Sequence, residues 1–250
     1  MTVLAAFPAL AADPFFTLTF ESTAASSTNG GINGIKGLAT YTFSETTVGQ
    51  MTLSLKNLSG SPATKAYLVS SGFNEPTNKP AGSDVEIVSF LEPDSQWDVA
   101  LSPANGGLSP FGSFDACAST DDGECDASGK SSLGLAIGSP SKDVAIFTLK
   151  SSNAQLTTAT AYRDAFVKMF KAPTKSGGAG EFDGNYFMRF KGLEGTGKYD
   201  SDKIWATGVS TGGGGGQAPG DAVPGPLPVL GAAAAFGYSR KLRQRLKAAK

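Results

Sequence analysis

The side chains able to do chemistry in this chain are carboxylates, hydroxyls and two thiols, because it contains no histidine. That removes the commonest general base and transition-metal ligand. It also excludes every Ser-His-Asp and Cys-His arrangement. The densest run of candidates is Asp115–Lys130, DACASTDDGECDASGK. Asp115, Asp121, Asp122, Glu124 and Asp126 place five carboxylates within 12 residues, and calcium takes clustered oxygens. The run lacks the D-x-[DN]-x-[DN]-G-x5-E spacing of a calcium loop. Its plainer reading is an acidic, solvated loop, with Asp121, Asp122, Glu124 and Asp126 as calcium candidates and no other metal or cofactor expected. Cys117 and Cys125 in the same run fit one local disulfide of an oxidising compartment. Closing so short a loop would stabilise the fold by about 2–3 kcal/mol.

Paired carboxylates can hydrolyse glycosides without histidine, but nothing in the sequence singles out one pair among the 22 acidic residues. Trp97 and Trp205 are candidates to stack on sugar rings or, more plainly, to pack in a core. The glycine run Gly212–Gly216 lacks the lysine and the strand-helix setting of a phosphate loop.

The elements that must position these groups read mostly as strands. Phe16, Leu18 and Phe20 alternate with polar residues, as do Tyr41 and Phe43, then Met51, Leu53 and Leu55. Such alternation predicts half-buried strands, the second and third joined as a hairpin. Further strands are expected at 65–73, 85–91 and 185–190, and Ser201–Trp205 closes the body. Residues 144–149 are apolar at both parities and predict a central strand covered on both faces. One segment departs from this pattern. In 160–171, Ala161, Tyr162, Ala165, Phe166, Met169 and Phe170 recur at helical spacing, predicting a short amphipathic helix stopped by Pro173. The expected body is therefore mainly β, an antiparallel β-sandwich or jelly-roll-like domain over residues 13–210 with one short helix.

The two ends differ from this body. Residues 1–12, MTVLAAFPALAA, resemble the end of a secretory signal peptide with an A-x-A-like site, although no positive region precedes it. Residues 211–222, TGGGGGQAPGDA, predict a flexible tether whose span is about 20 Å. The last stretch, 223–250, reads VPGPLPVLGAAAAFGYSRKLRQRLKAAK. It joins a proline-glycine opening to an apolar run and then to Arg240, Lys241, Arg243, Arg245, Lys247 and Lys250, with no acid among them. Its apolar part is short against the roughly 20 residues of a bilayer span. Basic residues directly after it hold that end on the cytoplasmic side, which leaves the body outside. An ordinary amphipathic C-terminal helix is the plainer alternative. Without those six charges the rest holds 15 basic against 22 acidic residues, a net of −7. An acidic body does not suit nucleic-acid binding, which draws its affinity from phosphate neutralisation.

The order proline motif, short apolar helix, basic cluster resembles the PEP-CTERM sorting domain, most closely its cyanobacterial subclass, with Pro224-Gly225-Pro226 where Pro-Glu-Pro is usual. The resemblance implies recognition by an exosortase, a membrane-embedded cysteine protease-transpeptidase, at Val223, Pro224, Gly225 and Pro226. Arg240, Lys241, Arg243 and Arg245 would be the membrane-stop cluster of a short transmembrane sorting helix. In the body, ATYTFSETTVGQMTLSLKNLSG, PFGSFDAC, AYRDAFVKMF and YFMRFKGLEGTGKYDSDKIW are similar to a body type that recurs among such proteins. That body type is an extracellular β-rich domain of no assigned activity; Lys198-Tyr199-Asp200 departs from its shorter form. The function so implied is that of an exported surface or extracellular-matrix protein, held transiently at the inner membrane, structural or adhesive and not an enzyme. A glycan-binding module for extracellular polysaccharide, calcium-assisted, is the alternative, and a secreted carboxylate hydrolase the third reading.

Overall fold

The computed structural model describes residues 12–76, 84–101, 114–120, 130–171, 175–176, 181–182, 184–197 and 200–213. All of them lie in one compact unit, Met1–Gly216. The strands are β1 (Phe15–Glu21), β2 (Lys36–Phe43), β3 (Gln50–Asn57), β4 (Lys65–Phe73), β5 (Glu86–Leu91), β6 (Asp98–Leu101), β7 (Ala116–Ser119), β8 (Leu135–Ala136), β9 (Lys142–Lys150), β10 (Lys175–Ser176), β11 (Glu181–Phe182), β12 (Tyr186–Glu194) and β13 (Ser201–Gly212). Among the described residues one α-helix, α1 (Ala159–Lys168), interrupts them. The chain is mainly β, as its alternation predicts, and every strand pairing is antiparallel.

Two stacked sheets were the expectation, yet apart from the separate β10-β11 pair the described strands join in one nearly closed sheet. Its order is β5-β9-β3-β2-β1-β13-β12-β4-β7-β6, with β8 on β4. The reason is β13. Its first half, Ser201–Trp205, pairs with β12, and its second half, Ala206–Gly212, pairs with β1. A register shift between Thr19 and Phe20 marks the turnover, the usual device by which a strand passes from one layer to the next. The strand therefore runs to Gly212, and Thr211 and Gly212 belong to the sheet and not to the tether.

Folding the sheet at β13 sets its two halves face to face over an aromatic core. Tyr41 of β2 stacks on Phe16 of β1 at 4.6 Å between ring centres. It meets Phe73 of β4 and Tyr186 of β12 edge-on at 5.4 and 5.9 Å. Helix α1 closes one end of this core. Thr158 begins it by accepting the Ala161 amide with its side chain, which satisfies one orphan donor of the first turn. The predicted stripe then buries Tyr162, Ala165 and Phe166. Phe166 lies against Phe43 and Phe73 at 5.6 and 5.9 Å.

β9 is not covered on both faces. A register shift between Leu53 and Ser54 leaves Val144 as the extra residue and turns both Val144 and Ala145 inward. Beyond it Thr148 is exposed. A bulge, and not a second covering layer, explains the apolar run at both parities.

The body's first and last strands start and finish side by side. Phe15 pairs with Gly212, and Pro14 accepts the Phe43 amide at 2.8 Å. Gly213, at φ +73, lies so close to Asp13 that a Cβ there would sit 2.3 Å from the Asp13 carbonyl oxygen. Arg163 of α1 donates to the Gly213 carbonyl at 3.3 Å. Among the described residues no helix is long and apolar enough to cross a membrane; the expected sorting helix lies outside them.

Candidate functional site

Carboxylates do their most specific work at three places: inside the β13 junction and at the two open ends of the sheet. At the junction, Asp202 sits at an inward position of β13 and is buried. Ser22 donates to it at 2.6 Å, Ser27 at 2.8 and 2.9 Å to its two oxygens, and Thr28 at 3.1 Å. Burial pushes its carboxyl above the ordinary carboxylate range, against the pull of these hydroxyls and of the Asn29 amide. The same loop lies along the free side of β13. Trp205 donates its amide to Ser26 at 2.9 Å, and Thr28 donates to Lys203 at 3.1 Å. Asp202 thus fastens residues 22–29 where the first half of β13 would otherwise be an edge.

At the sheet ends, two glutamates take amides that face away from their partner strands. Glu75 accepts the Ile87 amide of β5 at 2.7 Å, and Glu92 accepts the Val99 amide of β6 at 2.8 Å. Around Glu75 lies a cleft of 360 Å³ lined by Glu75, Asp84, Val85, Glu86, Lys150 and Ser152. Burial pushes the Glu75 carboxyl up; the Ile87 bond opposes this, and the charges of Asp115 and Glu86 add to it. Asp115 in turn accepts the Glu75 amide at 2.8 Å and donates its own amide to Asn74. The arrangement supplies acceptors and one cation, Lys150. Among the described residues no group of three or more Cys, Asp or Glu is placed to hold a metal ion.

Of the candidates in the acidic run 115–130, Asp115 and Cys117 are described. Asp115 is committed to the backbone of the Glu75 segment and not to a loop of ligands. Cys117 is buried on β7 in a small cluster with Phe114, Phe187 and Trp205. Phe187 belongs to this cluster while its neighbours Tyr186 and Met188 belong to the main core, so the cluster lies on the other face of the sheet. Among the described residues there is no free cysteine. Cys125, the calcium candidates Asp121, Asp122, Glu124 and Asp126, the motif Val223, Pro224, Gly225 and Pro226, and the cluster Arg240, Lys241, Arg243 and Arg245 all lie outside the described residues.

Trp97 and Trp205 are 0% and 1% exposed, so both serve packing and offer no ring to a sugar. Asp202 escaped the sequence reading. Its signal was a charged residue at the parity that Ile204 assigns to the core, opposite a loop rich in Ser and Thr. Comparison with family models, with curated proteins and with solved structures gave no match.

Proposed function

We propose that this is an exported surface or extracellular-matrix protein with a structural or adhesive role, sorted and processed by exosortase through its C-terminal tail. The observation that carries this reading is the unbroken order of proline motif, apolar run and basic cluster from Val223 to Lys250. On this reading Val229–Tyr238 is the short transmembrane helix, and Arg240, Lys241, Arg243 and Arg245 stop it on the cytoplasmic side. The protein sits transiently in the inner membrane until cleavage near Pro224–Pro226 passes the body to the surface, where extracellular polysaccharide is its expected surrounding.

The body suits such a task. We read its folded-over sheet as a β-sandwich of the jelly-roll kind, stapled outside the main core by a Cys117–Cys125 disulfide. Its Glu75 and Glu92 carboxylates serve the backbone, which supports a role without catalysis. The test compares the native protein with Pro224→Ala/Pro226→Ala in the producing cell, with mass spectrometry of the mature C-terminus. Retention of the variant in the membrane, unprocessed, is the expected result. Identical location and C-terminus for both proteins would sink the reading.

One observation favours polysaccharide binding as a second reading. Thr17, Thr40 and Ser54 stand opposite one another across β1, β2 and β3, and Thr42 faces Thr52, giving rows of hydroxyls on the outer face. Co-sedimentation with insoluble envelope polysaccharide tests it; loss of binding in Thr40→Val/Thr52→Val supports it, and no binding by the wild type removes it. Polysaccharide cleavage by the wild type that Glu75→Gln abolishes would instead revive the hydrolase.

A further inference from the structure

The pair Asn-Gly occurs three times in the chain, at 29–30, 33–34 and 105–106; the third lies outside the described residues. Such a pair can close on itself without an enzyme, because glycine has no side chain to shield its amide nitrogen from the asparagine before it. The fold treats the first two pairs differently. Asn29 is half-buried, and its side chain donates to the Ser201 carbonyl at 2.5 Å. The Gly30 amide donates to the Ser27 carbonyl at 3.4 Å. Both groups that would react are thus engaged. Asn33 and Gly34 instead form the tip of a turn, which the Ile35 amide closes on the Ile32 carbonyl at 3.4 Å. Ile32 and Ile35 are buried on either side of it, while Asn33 is exposed. Among the described residues no acceptor takes the Gly34 amide, and no hydrogen bond holds the Asn33 carboxamide.

We propose that Asn33 is a site of spontaneous, enzyme-free modification in the folded protein. The Gly34 nitrogen attacks the side-chain carbonyl carbon of Asn33. A new carbon–nitrogen bond closes a five-membered imide, the bond to the side-chain nitrogen breaks, and ammonia leaves. The proton of the Gly34 amide goes to water, and water returns one to the departing nitrogen. A water molecule then opens the imide at either carbonyl. Opening at the side-chain carbonyl gives aspartate. Opening at the main-chain carbonyl gives isoaspartate, in which the chain runs through the former side chain and gains a methylene.

The surroundings of the turn leave no slack for that methylene. The Gly34 carbonyl accepts the Gly60 amide at 2.8 Å, and even a Cβ on Gly34 would lie 2.2 Å from the Gly60 carbonyl oxygen. On the other side, Ile32 donates its amide to the Ser22 hydroxyl at 2.7 Å, and Ser22 donates to Asp202 at 2.6 Å. A lengthened backbone at residue 33 therefore strains the Gly60 contact and the Asp202 cluster together. The modification also adds one negative charge at an exposed position. It does not depend on processing of the tail or on any ligand.

The test is peptide mapping by mass spectrometry of the full chain, aged in detergent solution at mildly alkaline pH, with the same chain aged in urea alongside. In the folded protein, conversion at Asn33 should outpace conversion at Asn29 by about tenfold or more, because two ordinary hydrogen bonds must first break at Asn29. In urea the two pairs should convert at similar rates. Asn33→Gln, whose longer side chain would have to close a six-membered ring, should stay unconverted at 33. Aged protein should show raised hydrogen exchange at residues 32–36 and 58–60. Asn33→Asp, with the charge but an ordinary backbone, should not. No conversion at Asn33 in the folded protein, or conversion at Asn29 that keeps pace with it, overturns the proposal. A preference for Asn33 that persists in urea overturns the part assigned to the fold. Aged protein that exchanges like Asn33→Asp overturns the strain at Gly60.

Discussion

Ser27 and Asp202 are 175 residues apart, and the Ser27 hydroxyl lies 2.8 and 2.9 Å from the two oxygens of the Asp202 carboxylate. With Ser22 and Thr28 donating to the same group, one side chain holds a long loop against the strand that joins the two halves of the sheet. Asp202→Ala would leave three buried or half-buried hydroxyls without their acceptor. A loss of about 2–4 kcal/mol is expected in urea unfolding, with raised hydrogen exchange in residues 22–31.

Asp202 also sets a pH dependence. Its carboxyl is held above the ordinary range, so in the window between the unfolded and folded values the native state binds the extra proton. The stability this group contributes is full below the unfolded value and is lost as pH rises through the folded one. Asp202→Asn, unable to ionise, should show a flatter stability curve across the pH range just above the ordinary carboxylate value of about 3.9. Equal slopes for the two proteins in denaturant titrations would contradict this.

Two glycines of the same loop should behave differently. Gly30 has φ +76 and open space where a methyl group would stand, whereas Gly34 has φ +82 and a Cβ there would meet the Gly60 carbonyl oxygen at 2.2 Å. Gly30→Ala should cost about 1–2 kcal/mol, the left-handed backbone alone. Gly34→Ala should cost about 1–3 kcal/mol more, because Gly60 also donates its amide to the Gly34 carbonyl and cannot withdraw without breaking that bond. Thermal unfolding of the pair measures the difference.

Arg163 joins α1 to the end of β13 through the Gly213 carbonyl, and its side chain is largely buried beside Asp164. Arg163→Ala should leave the core packed and lower global stability by only about 1 kcal/mol. It should nonetheless speed hydrogen exchange and proteolysis at residues 211–213.

Under denaturing, non-reducing conditions neither Cys117 nor Cys125 should react with maleimide if they are paired as proposed. Cys117→Ala/Cys125→Ala should then lose about 2–3 kcal/mol. Labelling of both thiols in the wild type would remove the disulfide.

Much of the sheet was legible because alternation is a local signal. Phe16, Leu18 and Phe20 face the core, as do Met51, Leu53 and Leu55, and nothing distant is needed to see it. β7, Ala116–Ser119, was not legible. Its four residues are small and buried on both faces, so no alternation survives. β9 misled through a bulge, since one extra residue reverses the parity on which the reading depends. The fate of β13 was hidden for another reason. Its change of partner from β12 to β1 depends on where two other strands lie, and only Asp202 among its inward residues hinted at a loop folded against it. The edge carboxylates were invisible too, because Glu75 and Glu92 look like any surface acids until the strands they cap are placed.

The shared strand gives the body a direction of strength. A pull on Gly213 runs along the axis of β13, where the bonds to β1 lie side by side and must all be sheared together. The load then reaches β12 through the first half of the same strand and spreads into the other half of the sheet. The irregular step at Thr19 and Phe20 is the weakest link in that line, so under tension the body should yield there first, leaving the aromatic core intact until β13 has slid.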